Sequence, residues 1–226
     1  MTIQFIIVLI GIAILIAFAW YKLSKRKTLY PLMSLKYDFG LRRNTFVETL
    51  KLLEQRKGKL IVETGTSRDG LKNTKGDGAA TIVFGQWAKN NQGQVISVDI
   101  SQDSIDGSKE GIQEQKLDDF VTLHLSDSIA FLEEFDRPID LLYLDSYDYS
   151  LHDEEIQRKS QEHHLKEYMA VKDKLHPNSI ILIDDCDLPG GGKGKVVVEH
   201  MLKDNWVILK EAYQILLVKK ESLLKN

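Results

Sequence analysis

A glycine-bearing turn follows the first strand-like segment of the chain, and an acid closes the second. The apolar run at 60–62 ends in Glu63, with Gly65 two residues later. Asp99 ends the next strand-like run and lies 21 residues beyond Gly78. At this spacing a βαβ unit offers a carboxylate to ribose hydroxyls. The pattern therefore predicts a cofactor that contains adenosine.

The glycines do not form a phosphate-binding loop. The turn at 65–70 lacks the G-x-G-x-x-G pattern of dinucleotide sites, and the glycine run at 190–195 lacks the Lys-Ser/Thr pair of a phosphate loop. The carboxylate of Glu63 would also repel a pyrophosphate, whereas it would attract a cationic amine or sulfonium. The sequence therefore favours a cationic cofactor over one bound through its phosphates.

A second set of acids follows two later strand-like runs. Asp145 ends the fourth run, and Asp184 and Asp185 end the fifth. Neighbouring parallel strands open into one crevice at their carboxyl ends, and three carboxylates without His or Cys suit a hard cation, Mg²⁺ or else Mn²⁺ or Ca²⁺. Adjacent strand residues point to opposite faces, so Asp184 and Asp185 can both ligate only if the strand ends between them. Otherwise one of them caps the next turn or contacts the cofactor.

These residues lie on alternating strands and helices. The central strands are continuous apolar runs, as in a parallel sheet covered on both faces, and a short link lets the last two strands pair antiparallel. The predicted fold class is α/β, a doubly wound, mostly parallel seven-stranded sheet of Rossmann-like type. The predicted strands cover residues 60–64, 94–99, 120–125, 139–145, 179–184, 206–210 and 214–219. The predicted helices between them cover residues 78–90, 104–115, 128–135, 153–175 and 194–203.

The first residues of the chain have a composition that suits the lipid of a membrane rather than water. Residues 3–20 carry no charge and only one polar side chain, Gln4. As a helix they would span about 27 Å, close to the hydrocarbon core of a bilayer. Trp20 and Tyr21 then suit the interface. A basic cluster follows, formed by Lys22, Lys25, Arg26 and Lys27.

This charge pattern predicts a single-pass membrane protein with its catalytic domain in the cytoplasm. The alternative is a cleaved signal peptide with a small-x-small site at 17–19, although the basic n-region of such a peptide is missing. The predicted division is an anchor with its basic flank at 1–27, a linker and leading helix at 28–59, and the main domain at 60–226.

Composition narrows the function classes. The net charge of −3 gives no basic field for nucleic acid, so no nucleic-acid partner is expected. The single cysteine, Cys186, excludes an internal disulfide framework and fits a reducing compartment. Oligomeric state has no signature in the sequence.

Four groups of residues together resemble a known family: Glu63-Thr64-Gly65, Asp99, Ser126-Asp127 and Asp145. The chain resembles the class I S-adenosylmethionine-dependent methyltransferases over residues 60–219. Within them it is most similar to the metal-dependent O-methyltransferases of the catechol and macrolide-sugar type. The resemblance implies the Rossmann-like methyltransferase fold and S-adenosylmethionine as cofactor. It also implies methylation of an oxygen on a small acceptor with divalent metal assistance, and the predicted anchor suggests a membrane-associated acceptor.

The resemblance also assigns residues. Glu63 and Gly65 would line the methionine end of the cofactor, Asp99 would hold both ribose hydroxyls, and Asp127 would meet the adenine amino group. The full implied cofactor set is Glu63, Gly65, Thr66, Gly78, Asp99, Ser126, Asp127 and Ser128. The implied Mg²⁺ ligands are Asp145, Asp184 and Asp185.

The chain departs from the catechol-type pattern at two points. The lysine found three residues after the first metal aspartate is Asp148 here, so that base does not transfer; Lys193, His152 and His163 are substitutes. Asp145 and Lys193 are the catalytic candidates. A polar insertion at 69–75 is either a lid over the cofactor or a surface loop.

Two other functions stay open at this point. One is a nicotinamide-dependent oxidoreductase on a similar fold, which would need the missing G-x-G-x-x-G turn. The other is a catalytically inactive, membrane-tethered binding module. The acceptor itself could be a small molecule, a lipid, a lipid-linked sugar or a neighbouring protein.

Overall fold

The protein is described by a computed structural model that covers residues 3–25 and 27–223, with side chains for 4–22 and 27–223. The strands are β1 (Leu60–Thr64), β2 (Gln94–Asp99), β3 (Val121–Leu125), β4 (Ile139–Leu144), β5 (Leu175–Ile183), β6 (Trp206–Glu211) and β7 (Ile215–Lys219). The helices are α1 (Ile3–Lys25), α2 (Arg43–Gln55), α3 (Ala80–Asn91), α4 (Gln102–Gln115), α5 (Ser128–Glu134), α6 (Glu154–Val171) and α7 (Lys195–Lys203).

The seven strands form one sheet in the order β3-β2-β1-β4-β5-β7-β6. The pairs from β3 across to β5 are parallel, and β7 runs antiparallel to both of its neighbours. The strand order reverses between β1 and β4, which makes their carboxyl ends the switch point where doubly wound sheets bind ligands. The predicted fold class, including the antiparallel final pair, is confirmed.

Apolar burial on both faces explains why the central strands read as unbroken hydrophobic runs. Ile61 and Val62 are adjacent on β1 and fully buried, yet each belongs to a different core cluster. Leu141 and Leu142 divide in the same way on β4. A strand covered on both sides has no solvent face, so it gains nothing from alternation.

The largest differences from the predicted boundaries lie between the sixth helix and β5. The helix ends at Val171 rather than at 175, and β5 begins at Leu175 rather than at 179. A 3-10 turn at Lys172–Lys174 follows the helix, and Pro177 favours extended backbone at the residue before it, which suits the start of β5.

The predicted linker is part of the folded domain. Leu29, Met33 and Phe39 are each at most 4% exposed and belong to the same core cluster as Phe46 of α2. The predicted boundary at residue 60 therefore does not separate two packing units. The segment ahead of β1 covers one face of the sheet.

The predicted N-terminal helix is present as α1. Within it, Gln4–Lys22 is long and apolar enough to cross a membrane, and none of that stretch is buried in the protein. A signal sequence near the N-terminus would meet the same criterion. Within the predicted basic cluster, Arg26 and the side chain of Lys25 lie outside the described residues.

Candidate active site

Gly65 lets two strand ends meet at the switch point. Its φ is +81°, and a Cβ at this position would lie 2.6 Å from the carbonyl oxygen of Asp145. The backbone N–H of Asp145 donates to the carbonyl of Thr64 at 2.9 Å, which holds the two chain segments together. A side chain at position 65 would force them apart.

Asp99 is fixed by backbone donors at the end of β2. Its Oδ2 accepts a hydrogen bond from the N–H of Thr66 at 3.0 Å, and its Oδ1 accepts one from the N–H of Ser101 at 2.8 Å. Each carboxylate oxygen keeps a second lone pair for another donor. The side chain is therefore oriented before any ligand arrives.

Two cavities meet at this carboxylate. The central cavity has a volume of about 410 Å³ and lies over the ends of β1, β4 and β5; the outer cavity has about 270 Å³ and lies over β2 and α5. Both are lined by Gly65, Asp99, Ile100, Ser146 and Tyr147. A single elongated ligand could therefore occupy both cavities with its middle on Asp99.

The central cavity carries more negative than positive side chains. Its acids are Asp77, Asp99, Asp145, Asp148 and Asp185, and its cations are Arg42, Arg68 and Lys193. An excess of carboxylates in a concave site attracts cationic ligands. This charge distribution suits an ammonium or a sulfonium group.

The outer cavity contains two of the residues predicted after β3. Asp127 caps α5 by accepting a hydrogen bond from the N–H of Ala130 at 3.0 Å, and Ser128 Oγ lies 3.0 Å from His163 Nε2. Asp127, Ser128 and His163 all line the cavity. Ser126 precedes Asp127 in the chain but does not line the outer cavity.

Glu63 and Gly78 lie behind the cavity rather than in its wall. Glu63 is fully buried, and its Oε2 accepts a hydrogen bond from the hydroxyl of Thr81 at 2.7 Å. Burial raises the pKa of Glu63 to about 8, so the group is mainly protonated at neutral pH. The predicted contact of Glu63 with the methionine end is therefore corrected. Gly78, with φ +84°, leaves room for Arg42, whose Cδ would lie 2.8 Å from a Cβ there.

Asp77 is a cavity residue that the sequence interpretation missed. It lines the central cavity, and burial together with nearby Asp69 raises its pKa to about 6. Its Oδ2 has no hydrogen-bond partner among the described residues. The signal available in the sequence was its position between Gly76 and Gly78, where the backbone can approach a ligand.

The predicted metal carboxylates do converge, but two cations lie between them. Lys193 Nζ donates to Asp145 Oδ1 at 2.6 Å and lies 3.2 Å from Asp185 Oδ2. Arg42 Nε donates to Asp184 Oδ2 at 2.7 Å, and its Nη2 donates to Asp185 Oδ1 at 3.3 Å. We call Asp145, Asp184, Asp185, Arg42 and Lys193 the five-charge cluster.

Two tyrosines complete the five-charge cluster. The hydroxyl of Tyr143 donates to Asp184 Oδ2 at 2.9 Å, and the hydroxyl of Tyr213 donates to Asp185 Oδ1 at 2.5 Å. The guanidinium of Arg42 stacks over the Tyr213 ring at 4.7 Å. The acids are thus held in place by charged and hydroxyl donors.

The cluster does not fit a divalent metal ion as it stands. Within residues 3–25 and 27–223, no group of three His, Cys, Asp or Glu residues is arranged to hold a metal ion. Lys193 Nζ already lies 2.6 Å from Asp145 Oδ1 and 3.2 Å from Asp185 Oδ2, so a metal ion between these two carboxylates would have to displace the ammonium. Asp184 Oδ1 is unpartnered among the described residues, but its side chain is fully buried away from the cavity. The predicted Mg²⁺ site is therefore not formed.

The strand end explains how adjacent acids reach the same site. β5 ends at Ile183, and Asp185 has a φ of +50°. The chain therefore turns immediately after the strand, so the alternation of strand side chains no longer applies. Both Asp184 and Asp185 can then contact Arg42.

Lys193 is an ammonium group rather than a base. Burial would lower its pKa, but the carboxylates of Asp145, Asp185 and Asp184 outweigh burial and raise the pKa of Lys193 above its ordinary value. A group that keeps its proton cannot accept one from an acceptor, so the predicted base role is corrected. Of the other substitutes, His163 lies in the outer cavity and His152 is exposed.

Burial has the opposite consequence for Asp145. It raises the pKa of Asp145 well above the ordinary value, with Asp184 and Asp185 adding to the effect and Lys193 opposing it. A carboxylate with a raised pKa is a stronger base than an ordinary one. Asp145 lines the central cavity and accepts a hydrogen bond from Lys193 Nζ at 2.6 Å, so it is a candidate proton acceptor there.

The insertion at 69–75 is packed against the segment ahead of the sheet. Thr74 Oγ1 donates to the carbonyl of Asp38 at 2.9 Å. Arg42 Nη1 donates to the carbonyl of Gly76 at 2.9 Å. The loop thus fixes the guanidinium of the five-charge cluster.

A surface ion pair joins the loops on either side of the central cavity. Arg68, after β1, makes two hydrogen bonds to Asp148, after β4, at 2.6 and 3.1 Å. The side chains of both residues are more than half exposed. Asp148, the residue at the position of the catechol-type lysine, is therefore an ion-pair partner here.

Comparison with known proteins agrees with this geometry. Residues 75–186 match the family described as a methyltransferase domain. No curated protein matches the chain. Among solved structures, the chain is similar to the SAH-bound methyltransferase PaMTH1 of Podospora anserina, with 16% identity, a TM-score of 0.58, and coverage of 85% of this chain and 83% of that one.

Two further structures show the same fold. An O-methyltransferase from Bacillus cereus in complex with SAH has 14% identity and a TM-score of 0.54, covering 78% of this chain and 81% of that one. The O-methyltransferase TomG from Streptomyces achromogenes, in complex with SAM, has 13% identity and a TM-score of 0.53, covering 80% and 82%. The family match over residues 75–186 and the strand order agree with the resemblance of the chain to class I methyltransferases.

Proposed function

We propose that this protein transfers a methyl group from S-adenosylmethionine to an oxygen atom of an acceptor. The observation that carries the proposal is the position of Asp99, which presents a carboxylate at the junction of two cavities. The structural neighbours include O-methyltransferases with SAH or SAM bound. An elongated cationic nucleoside matches the joined shape and the negative charge of the cavities.

Different residues around the junction would contact different parts of the cofactor. Asp99 would accept from both ribose hydroxyls with its free lone pairs. Asp127 and Ser128 of the outer cavity would contact the adenine. Asp77 would accept from the ammonium of the methionine end, because its side chain lines the central cavity and is partly exposed.

The cofactor supplies an electrophilic methyl group, so the protein has to position the acceptor and remove its proton. Asp145 is suited to the second task, because its pKa is raised and it faces the central cavity. It would accept the proton of an acceptor hydroxyl. Lys193 would hold the Asp145 carboxylate in place at 2.6 Å.

The acceptor is proposed to be associated with a membrane. Lys27 lines a third cavity of about 420 Å³, which shares Arg42, Gly76 and Tyr213 with the central cavity. Only four residues lie between Lys22, the end of the candidate span, and Lys27, so the two are at most about 18 Å apart. If α1 spans a membrane with the domain in the cytoplasm, this opening lies near the membrane surface. A lipid or lipid-linked acceptor could enter there.

The test is the binding of S-adenosylmethionine to the full chain in detergent, measured by titration calorimetry. We expect Asp99→Ala to weaken binding by about 100-fold, since it removes two charge-assisted hydrogen bonds. Asp103→Ala is the matched control: this exposed acid lies four residues further on, lines neither cavity and should leave the affinity unchanged.

Two results would contradict the proposal. One is an absence of binding by the folded wild-type protein. The other is tighter binding of a nicotinamide dinucleotide than of S-adenosylmethionine, which would favour the oxidoreductase alternative. Circular dichroism of each variant verifies that a loss of affinity does not reflect unfolding.

A further inference from the structure

We propose that Lys193 and Arg42 are resident cations that take the place of a divalent metal in the five-charge cluster. The wild-type protein then keeps its three carboxylates assembled without Mg²⁺ or Mn²⁺. The proposal concerns ion binding by the protein itself, so its outcome does not depend on whether the chain transfers methyl groups.

The first observation is that the Lys193 ammonium, which has three protons to donate, has three oxygen atoms within reach. Nζ lies 2.6 Å from Asp145 Oδ1, 3.1 Å from the Asp145 carbonyl oxygen and 3.2 Å from Asp185 Oδ2. The side chain is only 2% exposed. Three donors facing three acceptors make a saturated site, whereas Mg²⁺ would need these oxygens at about 2.0–2.1 Å.

The second observation explains the glycine run at 190–194. Gly192 has a φ of +59°, and a Cβ there would lie 2.0 Å from the carbonyl oxygen of Asp185. The N–H of Lys193 donates to that same carbonyl at 3.0 Å. The glycines let the loop press against the end of β5, which places the lysine side chain inside the cluster.

The third observation is the depth and saturation of Arg42. Its side chain is 7% exposed, and it donates to Asp184, Asp185 and the carbonyl of Gly76. Gly78 has no side chain that would obstruct it. Two separate parts of the chain therefore each deliver one cation to the same carboxylates.

The experiment measures Mn²⁺ binding to the full chain in detergent, by electron paramagnetic resonance of free Mn²⁺. We expect no saturable binding to the wild-type protein up to about 1 mM Mn²⁺. Lys193→Ala should create a site for one Mn²⁺ with a Kd of about 1 mM or tighter, since it frees oxygens of Asp145 and Asp185. Its Tm should fall by roughly 10 °C and recover in part when Mn²⁺ is added.

Lys195→Ala is the matched control. Lys195 is the first residue of α7, two residues after Lys193, and is exposed, so this variant should behave as the wild type does. If Lys193→Ala does not fold, Lys193→Met preserves most of the side-chain volume and is used instead. Adding Asp145→Asn to the lysine variant should remove the new Mn²⁺ site.

Two results would overturn the proposal. The first is a wild-type protein that binds one Mn²⁺ and loses it on Asp145→Asn substitution, because the carboxylates would then prefer a metal to Lys193. The second is a folded Lys193 variant that binds no Mn²⁺. The wild-type measurement decides the first point whether or not any variant folds.

Discussion

Buried acids lie on neighbouring strands of this sheet, and the cost of burying a carboxylate is met differently at Glu63 and in the five-charge cluster. Glu63 on β1 has a hydroxyl neighbour, Thr81, and burial raises its pKa to about 8. The five-charge cluster at the ends of β4 and β5 has two cations among its acids. A buried acid without a cation becomes neutral, whereas one with a cation can stay ionised. At Asp185 the neighbouring cations outweigh burial and lower the pKa, whereas at Asp145 burial outweighs Lys193 and raises the pKa.

The largest effect should come from removing a cation from the charged group. We expect Arg42→Gln to lower the free energy of unfolding by about 3–5 kcal/mol, because it leaves Asp184 and Asp185 buried beside too little positive charge. Urea denaturation of the full chain measures this change.

Arg43→Gln is the control for the Arg42 substitution. Arg43 is the next residue and its Nε bonds to the carbonyl of Thr28, but it is less buried. Its loss should cost about 1 kcal/mol or less. Equal losses for the two variants would mean that the cluster draws no special stability from Arg42.

A smaller, pH-dependent effect should come from the neutral acid. The folded pKa of Glu63, about 8, exceeds its ordinary value of 4.5. Its contribution to stability is therefore complete below pH 4.5 and is lost as pH rises through about 8. Glu63→Gln should remove this loss, raising the free energy of unfolding by about 3 kcal/mol at pH 9 and changing it little at pH 5.

Thermal unfolding from pH 5 to pH 9 measures the Glu63 effect. Glu54→Gln, an exposed acid on α2, serves as the control and should show no such trend. A Glu63→Gln variant that loses stability equally at every pH would show that Glu63 is charged in the folded protein. The contrast between the two acidic groups would then disappear.

The smallest effect should come from charges that are paired but not buried. Arg68 and Asp148 make the same kind of ion pair as Arg42 and Asp184, but their side chains are 53% and 74% exposed. Asp148→Ala should change the free energy of unfolding by less than about 1 kcal/mol. The change should shrink further in 0.5 M salt, as urea denaturation at two salt concentrations would show. A loss as large as that of Arg42→Gln would mean that burial does not set the cost.

The fold was predictable because its signals are local. Continuous apolar runs marked the central strands, and the short link between the last two indicated their antiparallel pairing. Gly65 and Asp99 were also found from spacing alone, since a tight turn and a strand-end acid follow from the geometry of one βαβ unit. The start of β5 was placed four residues too late, at 179 instead of 175, although Pro177 favours extended backbone at the residue before it.

The charged site was only half predictable. The acids were recognisable from the sequence because they follow the ends of predicted strands. Arg42 lies 142 residues from Asp184 in the chain, and no sequence periodicity connects the two. Lys193 was found from its glycine-rich loop, yet its role was inverted because protonation depends on neighbours that only the folded chain supplies. A useful signal was available: three acids on adjacent strand ends require compensating charge, from an ion or from the protein.

The position of Arg42 in the chain determines how far the N-terminal part of the protein can be shortened. The arginine lies ahead of β1, outside both the matched region at 75–186 and the predicted domain at 60–226. A fragment trimmed to either limit would discard the guanidinium along with Leu29, Met33 and Phe39, which cover one side of the sheet. Such a fragment would expose an apolar surface, and Asp184 would lose its ion pair with Arg42. Expression trials should therefore begin no later than Lys27 if the catalytic pocket is to survive.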